Sequence, residues 1–348
     1  MDNITHNNVR SSNLELLRIV AMLGIVLSHY HFYLGELMAA NPTSPMSVYH
    51  YAIGMGGKIG INIFMLITGY YMCLKDISVK KYIKLLAQIY FYNIIIRGAF
   101  IAVGNEPFSL SSLVDMAFPF RRITMDTFIT DFLWFYLFIP FASILIKNLT
   151  KEQHFRLMML SLIMFIGYNT IPGFYTGLSP VTWFIVLMFV ASYIRIHKPA
   201  ILQYNSFVWM GGAFLLFLCA VGSIIILGNH GVNPRKFFAD GNSVFAFLIA
   251  LSMFMAFLKL QIPYNKWINL YGGAAFGVLL IHSNCWPMRE LIFKQIVDTQ
   301  RFFVEGNIWI PFVTCFSIYI VCGTIEIIRQ KTVEQPILTF IYKVLRIH

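Results

Sequence analysis

Residues 13–34, NLELLRIVAMLGIVLSHYHFYL, form an apolar run long enough to cross a bilayer of about 30 Å as a helix, yet they carry Glu15, Arg18, His29 and His31. Ionisable groups at that depth are costly, so each must face a protein interior or a water-filled cavity. Arg18 and His29 are eleven positions apart. At roughly 100° per residue both project from one helix face, about 16 Å apart along the axis. One face therefore presents a permanent cation at one level and an imidazole at another. The same residues also fit a plainer arrangement, in which Glu15 and Arg18 pair at the interface, Arg18 snorkels to the headgroups and His29 is a polar cap.

The rest of the chain agrees with a membrane class. Apolar residues make up 58% and charged residues 12% of it, a balance outside the range of soluble domains. The formal net charge of +11 sits in short basic clusters between apolar runs, where it reads as a topology signal and not as a nucleic-acid face. Five scattered cysteines without a CxxC pair argue against a disulfide framework or a zinc site. Windows of about twenty residues give an all-α, polytopic transmembrane bundle of about ten spans, near 13–34, 53–73, 82–103, 131–147, 154–171, 180–196, 206–228, 242–259, 269–286 and 307–328. The expected organisation is a polar tail over 1–12, a transmembrane domain over 13–328 and a basic tail over 329–348. Most Lys and Arg fall on one side if both termini are cytoplasmic, which is the orientation expected for a cell-membrane protein.

Other polar residues add candidates. MGGKIGINIFMLITGYYM (55–72) is glycine-rich, which suits either close helix packing or a ligand groove. Arg97 near the end of the third span fits either a cavity wall or the interface. In the long connection 98–130, Arg121 and Arg122 could hold an anionic acceptor or a phosphate through forked donors, or be a solvated basic loop. The connection 226–243, with Arg235 and Asp240, is placed at the mouth of the bundle, and Trp183 in an interface belt. His282 ends the ninth span at the depth of His29, so both are expected to line one cavity. No His and carboxylate positions share metal-ligand spacing on a helix, so no metal is expected.

Arg18, ten intervening residues and His29, within LELLRIVAMLGIVLSHY, resemble the first helix of the integral membrane acyltransferases called the acyltransferase 3 family. The resemblance continues through GINIFMLITGYYM (60–72), KKYIKLLAQIYFY (80–92), FLWFYLFIPFASILI (132–146) and AAFGVLLIH (274–282), in the family's order. Before Gly69 and Tyr70 the family usually has Ser where this chain has Thr68, and the hydroxyl survives. The resemblance implies transfer of an acyl group, usually acetyl from acetyl-CoA, to a hydroxyl of a surface or capsular polysaccharide or its lipid-linked precursor. Acetyl-CoA would be a substrate, with no permanently bound cofactor. A base and a donor grip are needed, and His29 and Arg18 fit those roles. Glu15, Arg97, Arg121, Arg122, His282, Thr68 and Tyr70 are further cavity or substrate candidates. The alternative is a transporter or flippase using the buried Arg and His as a substrate or proton path.

Overall fold

The computed structural model describes residues 11–75, 78–118, 128–171, 174 and 179–346. Among the described residues there is no strand, and the chain is a bundle of helices. Those that frame the site and the bundle are α1 (Ser12–Phe32), α2 (Pro45–Gly54) continued by α3 (Gly56–Met72), α4 (Val79–Ala102), α5 (Phe128–Asn148), α6 (Pro180–His197), α7 (Ser206–Asn229), α8 (Val244–Lys259), α9 (Lys266–His282), α10 (Ile310–Thr332) and α11 (Glu334–Leu345).

Seven of these segments, with α2 and α3 counted as one, are long and apolar enough to cross a membrane. This corrects the expected ten. The region 154–171 is broken: a helix over Lys151–Leu162, polar in its first turns, passes into a π-helical stretch over Ile163–Gly167. α8 has 16 residues and α9 has 17. Their shared connection stays non-helical because Pro263 disfavours helical backbone before it and Asn265 caps α9 with its side chain. α7 turns large apolar side chains such as Phe207, Phe214, Leu215 and Ile226 outward. An exposed apolar face of that extent belongs against lipid, and the protein is a multi-pass membrane protein.

α1 is held on two sides. Against α3 the contact is backbone on backbone: a Cβ on Gly56 would lie 2.9 Å from the Gly24 Cα, and one on Gly24 would lie 2.8 Å from the Gly56 carbonyl oxygen. Gly60 packs likewise on the Ala21 carbonyl and Gly57 on the Ser28 hydroxyl. Rising numbers on α1 meet falling numbers on α3, so the two are antiparallel, and small residues allow the close approach. The glycine-rich run is thus a packing surface.

On its other side α1 runs parallel to α9. The Ser12 hydroxyl accepts from the Asn265 backbone N–H at 2.9 Å and from the Asn269 amide at 3.0 Å. Glu15 lies against Gly272, where a Cβ would come within 2.7 Å of it, and His29 meets His282 farther along.

A second polar knot ties α4, α10 and α11 together. The fully buried Glu326 accepts from Arg329 through two bonds of 2.8 Å, from the Tyr92 hydroxyl at 2.6 Å and from Gln330 at 2.6 Å. Arg329 also donates to Glu334 at 2.8 Å, and Lys84 donates to Glu334 at 2.5 Å. Two carboxylates and two cations balance, and the donors fill the acceptors, which is what makes buried charge tolerable. Burial alone would raise the Glu334 carboxyl, but the bonds from Lys84 and Arg329 outweigh it and hold it below its ordinary range.

Two stability predictions follow from these contacts. Gly56→Ala should lower the melting temperature of the solubilised protein, as overpacking by about 1–3 kcal/mol requires. Gly212→Ala is the control, because nothing lies within 4 Å of its new methyl. Glu326→Ala should cost about 3–5 kcal/mol by stranding Arg329, and denaturant titration should find Lys84→Ala far milder, since Lys84 is half exposed. The depressed Glu334 carboxyl stabilises the fold above its unfolded pKa, and that share is lost as pH falls through its folded value.

Candidate functional site

A cavity of about 590 Å³ opens at the carboxyl end of α1. That size suits a small-molecule ligand. Its walls are His29 and Ser28 of α1, Gly57 and Lys58 of α3, Asp131 of α5, Trp183 of α6, Ser283 just after α9, and Arg289. The connection ahead of α8 closes one side with Arg235 and residues 238–242.

His29 and His282 are both buried, and His29 Nδ1 lies 2.9 Å from His282 Nε2. His282 Nδ1 lies 2.6 Å from the Val278 carbonyl oxygen. A carbonyl only accepts, so this contact assigns the proton of neutral His282 to Nδ1 and leaves a lone pair on its Nε2. His29 Nδ1 then donates to that lone pair. Neutral His29 consequently carries its own lone pair on Nε2, the nitrogen remote from His282. The two expected partners do come together, 253 residues apart in the chain. His29 is on the cavity wall, however, and His282 stands behind it.

The opposite wall is clamped by Asn62, which is fully buried. Its side chain accepts from the Trp183 indole N–H at 2.9 Å and donates to the Gly241 carbonyl at 2.7 Å. A Cβ on Gly241 would sit 3.0 Å from the indole nitrogen, so glycine permits the approach. The clamp fixes the connection bearing Arg235 and Asp240. Trp183 is therefore a buried wall of the cavity and not a member of an interface belt. Cys285, two residues past Ser283, has its thiol pushed up to about 11 by burial, which leaves it a poor nucleophile.

Arg18 is elsewhere. It donates to Glu15 at 2.8 Å, with its own side chain about a quarter exposed, and it does not line the cavity. Arg18 and Arg195 both lie within electrostatic reach of Tyr71. Arg195 donates to the Tyr70 carbonyl at 2.5 Å and lies over the Tyr70 ring at 4.9 Å. Thr68 bonds back to the Phe64 carbonyl at 2.8 Å. Arg97 pairs with Glu106 at 2.6 Å and approaches Asp115 at 3.8 Å, so it braces the connection after α4. Arg121 and Arg122 lie outside the described residues.

Lys58, Asp131 and Arg289 line the cavity and Asn62 braces it, though none of the four was expected as a site residue. Asn62 alone had a local signal, a polar residue in the middle of an apolar span.

No curated protein and no solved structure matches the chain. A family model described as an acyltransferase domain, that of acyltransferase 3, matches residues 11–327. The match runs from the start of α1 to near the end of α10 and takes in both helices of the imidazole pair. The chain belongs to the acyltransferase 3 family and is a membrane acyltransferase.

Proposed function

We propose that the protein moves an acetyl group from acetyl-CoA to a hydroxyl of a cell-surface or capsular polysaccharide, or of its lipid-linked precursor. The observation that carries this reading is the imidazole pair set on a cavity of ligand size. Acetyl transfer to oxygen needs a base at neutral pH, and His29 Nε2 offers the lone pair.

In the proposed step His29 takes the acceptor hydroxyl proton as the oxygen attacks the thioester carbonyl. The new C–O bond forms, the C–S bond breaks, and the leaving sulfur takes up the proton that His29 holds. His282, its other nitrogen fixed by Val278, orients the His29 ring and stabilises its cationic form. Arg289, buried on the same wall, adds positive charge where the oxyanion develops. Arg18 holds the anionic part of the donor through its guanidinium fork, about 16 Å away along the axis of α1. Arg195 supplies a second guanidinium at that end. In this reading both termini are cytoplasmic and the His29 end faces outward.

His29→Ala should lower turnover by roughly 10²- to 10⁴-fold with little change in donor affinity. His282→Ala should lose less and should shift the pH profile of kcat, because it removes the group that orients the base. Arg18→Ala should instead raise KM for acetyl-CoA, and Arg18→Lys should restore only part, because an ammonium lacks the fork. Each variant is compared at matched membrane accumulation. Normal surface acetylation by a well-accumulated His29→Ala protein would refute the assignment.

A further inference from the structure

Two cations on the cavity wall have no part in that reaction. Lys58, in the first turn of α3, and Arg235, in the connection ahead of α8, are both exposed and both line the cavity that holds His29. Among the described residues neither side chain has an ion pair or hydrogen bond; the bond recorded for Arg235 is its backbone N–H to Asn233. Three cations elsewhere in the bundle are treated differently, while Arg195 meets a carbonyl. Arg18, Arg97 and Arg329 each meet a carboxylate within 2.8 Å.

The carboxylates on the same wall are Asp131 and Asp240. Asp240 is exposed, only five positions from Arg235, and it pairs with neither cation. A concave wall with low-dielectric surroundings concentrates the potential of charges placed on it. Two cations there without an ion pair of their own favour an anion, and a guanidinium fork suits either a phosphate or a carboxylate. The connection that carries Arg235 is pinned by the hydrogen bond from Asn62 to Gly241, so part of the ordering cost of binding is met in advance.

We propose that Lys58 and Arg235 form a subsite for an anionic group on the acceptor, a phosphodiester or a carboxylate, next to the hydroxyl that His29 deprotonates. The inference rests on the acyltransferase reading and narrows its acceptors from hydroxylated glycans to anionic ones. Trp183 and Asp240 then face the sugar ring, the indole with its apolar surface and the carboxylate as a hydroxyl acceptor. The donor's phosphates are not the occupant, because the donor's anionic part is held at the Arg18 end.

The test uses the full-length protein in nanodiscs of neutral lipid, with acetyl transfer measured to three acceptors built on one sugar: a neutral methyl glycoside, the corresponding uronic acid and a glycosyl phosphate. Lys58→Ala and Arg235→Ala should each raise KM for an anionic acceptor by about ten- to a hundredfold, as loss of a charge-assisted bond implies. Arg235→Lys should recover part. Turnover, KM for acetyl-CoA and KM for the neutral acceptor should stay unchanged, and the anionic acceptor that responds identifies the group as carboxylate or phosphate. Equal effects on neutral and anionic acceptors, or no effect on any, overturn the subsite. So does an effect that follows the anionic lipid content of the nanodisc instead of the acceptor's charge, which would assign the cations to headgroups. Calorimetric binding of the same three compounds without donor separates the two readings. Charge-selective binding without transfer by the parent overturns the acyltransferase reading alone, transfer without charge selectivity overturns the subsite alone, and neither binding nor transfer overturns both.

Discussion

Lipid offers a charge no partner, and this constraint organises the bundle. Glu15, Arg97, Glu326 and Arg329 are buried on or against apolar helices, and each is met by an opposite charge. α1 carries the constraint most heavily. Its α3 side narrows to the small residues Ala21, Gly24 and Ser28 so that backbones come close, while its α9 side carries Ser12, Glu15 and His29 at three successive levels. A slip of one helical turn would misplace all three, so the polar contacts set the register and the glycine contact sets the depth of packing. The catalytic geometry proposed for His29 is a product of that register.

Much of this was legible in the sequence because bilayer thickness turns composition into structure. Apolar continuity marks the helices, and the eleven-residue interval marks Arg18 and His29 as a pair on one face. The interval does not say what each residue meets. Arg18 stays with Glu15 while His29 reaches the cavity, since the cavity is made by α3, α5, α6 and a connection far away in the chain. The span count failed where local punctuation, a π-helical stretch and the Pro263–Asn265 stop, shortened helices that composition alone makes look full length.

Distance along the chain hid the rest. The Glu-x-x-Arg pattern of Glu15 and Arg18 recurs as Glu326 and Arg329, but there it ends an apolar run, where Arg counts toward topology. Its partner Tyr92 lies more than two hundred residues away, as does Lys84 from the neighbouring Glu334. Lys58 and Arg235 were obscured for the opposite reason. A charge near a helix end is ordinarily solvated, and only the fold gathers these two onto one concave wall.

The Val278 carbonyl closes one end of the imidazole pair. At His282 the far N–H is already given to that carbonyl, which takes up no proton, so this bond does not relay onward a proton taken up by His29. Under the proposed reaction it must return to the cavity it came from and depart on the free thiol. Each turnover then carries no proton through the bundle, and the bond-making step is electroneutral with respect to the membrane. A transmembrane potential would bear on the entry of the charged donor and leave the chemistry at His29 untouched.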